Sequence, residues 1–133
     1  MEYITTSQDH EGCIFCDFPI ENNDVERLIL ARGKYCFVIL NAYPYNPGHL
    51  MVAPYRHTAE YDLLAPEEMT ELHMLGAKSI SVLKKVMAPQ GFNLGVNLGK
   101  VAGAGFDGHL HLHVVPRWNG DTNFMPAIAG VRV

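Results

Sequence analysis

The chain has 133 residues, 48% of them hydrophobic, with a formal net charge of −4 and seven histidines. That length suits one domain with a real core, and the mild negative charge excludes a general nucleic-acid binder. No apolar run approaches the ~20 residues of a membrane span, so residues 1–133 read as one soluble, cytoplasmic domain without a membrane partner.

Met1 to His10 is polar and lacks a signal-peptide core, so residues 1–12 form a loose N-terminal arm. Three cysteines make no disulfide framework. The close pair Cys13-Ile14-Phe15-Cys16 is open to three readings. Two histidines from elsewhere would complete a tetrahedral zinc set, the pair could be the remnant of such a site, or it could be redox-active. Pro19 predicts a turn, and the acidic and amide residues that follow do not supply the helix a redox motif wants.

Arg27 to Ala31 and Tyr35 to Leu40 predict two short strands joined by a turn at Arg32-Gly33-Lys34. Cys36, inside the second run, reads as a small buried hydrophobe. Asn41 ends that strand. Tyr43 to Gly48 carries strong turn chemistry, and His49 to Pro54 predicts a third strand with His57 just beyond it.

Pro66 to Met87 predicts a long helix. Proline suits its first position, Glu67 and Glu68 complement the positive end of its dipole, and Lys84 and Lys85 suit its last turn. Met69, Leu72, Gly76, Ile80, Leu83 and Val86 recur at three and four residues as one apolar stripe, for a core or an interface. His73 reads as solvent-facing and is given no role. Phe92 to Leu98 predicts a fourth strand.

Gly99 to Gly108 is glycine-rich but has neither the P-loop nor the dinucleotide pattern. It reads either as a flexible hairpin loop or as backbone that approaches phosphate oxygens closely, with Gly103 and Gly105 as candidates. His109-Leu110-His111-Leu112-His113-Val114-Val115 follows. Alternation at period two predicts a strand, with its three imidazoles on one face about 7 Å apart and its aliphatic residues on the other. Imidazole suits metal binding, proton transfer or nucleophilic attack near neutral pH. Trp118 could stack on a base or pack at a subunit contact.

This triad, with Asn41, the Pro47-Gly48-His49 entry and the Pro54-Tyr55-Arg56-His57 exit, resembles the histidine triad (HIT) family of nucleotide hydrolases and transferases. The likeness runs from about Cys13 to Pro126. It implies an α+β fold: an antiparallel sheet of about five strands, one long helix packed on it, and a homodimer whose sheets join. It implies a nucleotide substrate, dinucleoside polyphosphates or related nucleoside phosphates, cleaved through a nucleotidyl-histidine on His111. His49 and His113 would stabilise the phosphate oxygens. Asn41 would lie at the sugar and Asn97 beside the phosphates. Some relatives hold a structural zinc on positions matching Cys13, Cys16, His57 and His109, and no organic cofactor is expected.

In many relatives a glutamine and a hydroxyl residue stand where this chain has Gly105 and Phe106. That departure, with Pro116-Arg117-Trp118 and Gly120 to Phe124, resembles the bacterial diadenosine tetraphosphate phosphorylase-like branch, which shifts the expected acceptor from water toward phosphate. Some relatives continue past the position of Val133 into a further helix. Competing readings are a non-catalytic nucleotide-binding or regulatory module, a nucleoside phosphoramidase, and a metallohydrolase using the triad directly. For the last, Asp107 is the only nearby carboxylate.

Overall fold

The computed structural model describes residues 12–42, 47–104 and 108–121. The rest of the predicted N-terminal arm, the Tyr43 to Asn46 loop, Gly105, Phe106, Asp107 and everything after Asp121 lie outside the described residues. Two short helices, α1 (Ile14–Ile20) and α2 (Asp24–Arg27), lead into strands β1 (Ile29–Arg32), β2 (Cys36–Leu40) and β3 (Leu50–Pro54). A 3-10 turn precedes the long helix α3 (Pro66–Met87), and β4 (Gly91–Val96) and β5 (Leu112–Arg117) follow. The strands form one antiparallel sheet in the order β1-β2-β3-β5-β4.

Both faces of the sheet are covered, so β2 and β3 are apolar at nearly every position instead of alternating with polar residues. Cys36, Val38, Leu50, Val52, Leu112 and Val114 face α3 and meet Leu72 and Leu83. Phe37, Ile39, Met51 and Ala53 point the other way, where Ile14, Phe15 and Phe18 of α1 cover them. Gly76 lets α3 settle onto the sheet, since a Cβ there would stand 2.9 Å from Leu112 Cδ2.

Several expectations are corrected. Pro19 lies inside α1 and makes no turn. Proline lacks the N–H that would bond the carbonyl four residues back, and burial of Phe15, Phe18 and Pro19 holds α1 together despite that loss. Arg27 belongs to α2, so the first strand starts at Ile29; Leu28 closes the helix with φ 64°. Tyr35 and His49, expected to open their strands, fall just outside the observed β2 and β3, and the fourth strand runs Gly91–Val96 instead of Phe92 to Leu98. His109 and His111 precede β5, which begins at Leu112. Val86 leaves the predicted stripe at 72% exposure, while Leu83 and Met87 on either side of it in sequence make the contact with the core.

Glu71 on α3 latches the β1–β2 turn. Its carboxylate accepts backbone N–H bonds from Lys34, Tyr35 and Cys36 at 3.1, 2.5 and 2.6 Å. Burial pushes this carboxyl upward in pKa, but the three N–H bonds and Lys34 together hold it below its ordinary value. A depressed carboxylate contributes stability that is present above its unfolded pKa and lost as pH falls through its folded one. Glu71→Ala should cost about 2 kcal/mol at pH 7, since charge-assisted bonds are lost and backbone donors lose their partner. Urea unfolding checks this, and the gap between variant and wild type should narrow as the pH is taken below about 4.

Candidate functional site

Four histidines meet on the α1 face of the sheet. Gly48, at φ 80°, turns the chain into β3 through a place where a Cβ would stand 2.6 Å from Met87 Sδ. His49 follows directly, two residues before Met51, which is opposite His113 in β5. Side chains of such cross-strand neighbours share a face. His109 and His111 continue the same alternation ahead of β5, with Leu110, Leu112 and Val114 turned to the α3 core. All four imidazoles are buried. The His111 and His113 rings meet edge-on, with centroids 4.8 Å apart.

The backbone sets the tautomer of His111. Its Nδ1 donates to the His109 carbonyl at 3.0 Å. A carbonyl only accepts, so the proton sits on Nδ1 and Nε2 keeps its lone pair. Burial pushes the His111 pKa down to about 4 and outweighs the opposing pull of that carbonyl bond. His49 is likewise held down at about 4 by burial and then by His111. His113 is pushed well below its ordinary range by burial, then by His111 and His49. The result is a neutral cluster around an imidazole with a lone pair on Nε2. His49 Nε2 lies 2.9 Å from His113 Nδ1, and Asn41 Nδ2 lies 3.0 Å from His49 Nδ1.

Phe15 stacks on His111 at 4.6 Å and 27°, and also lies against His109 at 5.3 Å. Sequence reading missed it, although it sits between the two cysteines. Missed too was an apolar cavity of about 90 Å³ beside the cluster, whose walls include Ile14, Phe18, Ile39, Asn41 and Met51. Arg27 stands at its rim with its guanidinium 4.2 Å above the Phe18 ring, held there by Glu21. The lining comes from four separated segments, and no local pattern marks them as one surface. Asn97 is half-buried and follows directly on Val96, the last residue of β4, whose partner in β5 is Leu112. Gly103 closes the 3-10 turn Lys100–Ala102 with φ 93°. Of the other residues read from sequence, His73 is exposed and bonded to Tyr61 Oη at 3.0 Å. Trp118 is half-buried just past the end of β5, its backbone N–H donating to the Asp121 carboxylate.

Cys13, Cys16, His57 and His109 converge separately, their ligand atoms all within 4.8 Å of one another. Cys13 is the N-cap of α1 and Cys16 lies in its first turn, so a spacing of three puts both thiols on one side. His109 Nε2 donates to the Pro54 carbonyl at 2.8 Å, which leaves the Nδ1 lone pair for the cluster. That nitrogen lies 3.2 Å from Cys13 Sγ, 3.5 Å from Cys16 Sγ and 3.2 Å from His57 Nδ1. A tetrahedral zinc with sulfur and nitrogen ligands has edges of roughly 3.3–3.8 Å, so the donor set and its spacing fit a metal ion. Burial, then the hydrogen bond to Cys13 and its charge, push the Cys16 thiol up to about 11. A bound cation would reverse that preference.

A family model described as "HIT domain" matches residues 22–120. A curated Mycobacterium tuberculosis protein named AP-4-A phosphorylase is 50% identical over 119 residues, 90% of this chain and 60% of its own length. A Schizosaccharomyces pombe protein named bis(5'-nucleosyl)-tetraphosphatase [asymmetrical] is 31% identical over 107 residues, 80% of this chain and 56% of its own length. The chain thus spans somewhat over half of each of these two relatives. Among solved structures, a Zn-bound histidine triad family protein from Mycobacterium smegmatis superposes with a TM-score of 0.70 at 30% identity. The match covers 85% of this chain and 81% of that one. No described helix is long and apolar enough to cross a membrane.

Proposed function

Because this chain belongs to the HIT family, we propose that it cleaves dinucleoside polyphosphates, with His111 as the nucleophile. The observation that carries this reading is the tautomer of His111, whose Nδ1–H is taken by the His109 carbonyl so that the attacking lone pair sits on Nε2. Nε2 forms a bond to the α-phosphorus as the bond from phosphorus to the bridging oxygen breaks, and the departing nucleotide takes that electron pair. The imidazolium so formed keeps its Nδ1–H on the carbonyl. An acceptor then attacks phosphorus, the P–N bond breaks, and His111 is neutral again. Splitting one displacement in two in this way is the gain from covalent catalysis. His49 and His113 attend the phosphate oxygens.

The apolar cavity between α1 and the sheet takes the base, with Asn41 at its sugar end. Asn97 and Gly103 border the phosphates; Gly105, expected there from the sequence, lies outside the described residues. Phosphate as second acceptor is supported by the name of the 50% identical relative, AP-4-A phosphorylase. Chromatography of products from diadenosine tetraphosphate decides the acceptor. ADP with ATP in the presence of phosphate supports phosphorolysis; AMP with ATP at every phosphate concentration makes the protein a hydrolase. Mass spectrometry after mixing with substrate should trap a nucleotidyl adduct on His111. A protein that binds nucleotide without ever forming one is a binding module, and the proposal fails.

Zinc is the metal we propose for Cys13, Cys16, His57 and His109. Four protein ligands leave no open position, so its role is structural: it ties the start of α1 to the segment that carries His111. Thiolates held for a metal suit the reducing cytoplasm. The partner is a second copy of this chain. β4 is an edge strand that exposes Leu94, with Leu98 exposed just past its end, and an apolar edge of this kind is ordinarily paired or covered. Light scattering at micromolar concentration should give twice the chain mass. A fully active monomer refutes the dimer.

A further inference from the structure

Asn41, at the end of β2, and His49, at the start of β3, are joined by a backbone bond from the Asn41 N–H to the His49 carbonyl at 2.8 Å. That bond sets the Asn41 side chain against the His49 ring, Nδ2 to Nδ1. An amide NH2 donates and cannot accept, so His49 Nδ1 must be the lone-pair nitrogen. Burial keeps the ring neutral at pH 7, and a neutral imidazole has a single N–H, here on Nε2. That nitrogen donates to His113 Nδ1 at 2.9 Å. His113, also neutral, therefore carries its one proton on Nε2. The Asn41, His49 and His113 side chains are all buried, so bulk water does not compete for these bonds.

We propose that the Asn41 amide is a positioning group that fixes the direction of the His49–His113 hydrogen bond, so that His113 offers the reacting phosphate an N–H and not a lone pair. The location of that phosphate rests on the reading of His111 as nucleophile; the direction of the bonds is a property of the free protein. No proton changes hands in this role. The oxygens around phosphorus are anionic throughout, and a fixed N–H stabilises them where a lone pair would repel them. Reversing the line takes only a group at position 41 that accepts. His49 would then donate from Nδ1, His113 would donate from Nδ1 to His49 Nε2, and the lone pair would move to His113 Nε2.

Histidine-labelled full-length protein at neutral pH tests this by long-range 15N–1H correlation, which separates pyrrole-type from pyridine-type ring nitrogens. His49→Gln and His113→Gln variants assign the signals. The wild type should show pyridine-type Nδ1 and pyrrole-type Nε2 on both rings. Asn41→Asp, whose carboxylate only accepts, should exchange the two types on both rings. Its kcat on diadenosine tetraphosphate should fall about tenfold or more. A pyrrole-type Nδ1 on wild-type His49 overturns the proposal without any variant, so a variant that fails to fold does not shelter it. Unchanged tautomers in folded Asn41→Asp overturn it as well, as does full kcat in a variant whose tautomers have exchanged. Absence of an adduct on His111, with the tautomers as stated, would sink the nucleophile reading while leaving the amide's control of the rings in place.

Discussion

His111→Ala is expected to fold as the wild type does and to lose turnover of diadenosine tetraphosphate by a factor on the order of 10⁴ or more. Removing the atom that forms the covalent bond leaves only binding and charge stabilisation, and the groups of such a unit do not substitute for one another. Folding should survive because the backbone bond from the ring to the His109 carbonyl is local, spanning two residues. The space left under Phe15 costs stability, about 2 kcal/mol by analogy with other truncated buried side chains. His49→Ala and His113→Ala should lose less, about 10²–10³-fold, since neither makes the bond to phosphorus. Steady-state kinetics with circular dichroism on the same samples checks all three. A His111→Ala protein that keeps a tenth of the activity would remove His111 as nucleophile.

The second large effect concerns the metal. Protein purified without added metal should contain about one zinc per chain by elemental analysis, and Cys13→Ser or Cys16→Ser should contain close to none. A ligand present at a thousand times its dissociation constant stabilises the folded state by about 4 kcal/mol, on the order of 10–15 °C in a domain of this size. Chelation should therefore lower the melting temperature by about that much. Turnover of the protein that remains folded should fall far less, because the ligand atoms are not those that meet substrate. A wild type that carries no zinc, and whose melting temperature is unmoved by chelator or by added zinc, would refute the assignment.

Where period and capping chemistry act locally, the sequence was legible. Pro66 with its acidic first turn and basic last turn marked both ends of α3, and the alternation from His109 to Val115 separated the imidazole face from the α3 core. The α1 region was not legible, because Pro19 signals a break unless one knows that tertiary packing on Phe37 and Ile39 supports the turn before it. The four metal-ligand candidates were named from spacing together with likeness, since two of them come from segments more than forty residues away from the cysteines. Phe15 against His111, the cavity walls and the Asn41–His49 contact depend on how strands pair, which no local window contains.

His109 does its two jobs with different parts of itself. Its imidazole belongs to the four-ligand cluster, while its main-chain carbonyl holds Nδ1 of His111. Every amino acid has that carbonyl. The side chain can therefore be exchanged in design without touching the proposed nucleophile, provided the main chain keeps its course. His109→Gln would strip one of the four proposed metal ligands yet leave the bond from His111 Nδ1 to the carbonyl of residue 109 in place. A proline at position 110 would spare all four ligands and still threaten the chemistry, because Leu110 N–H anchors this segment to the Thr58 carbonyl at 2.8 Å. For anyone re-engineering the protein, the proposed metal site is thus a question of side-chain composition and the proposed reaction a question of backbone path.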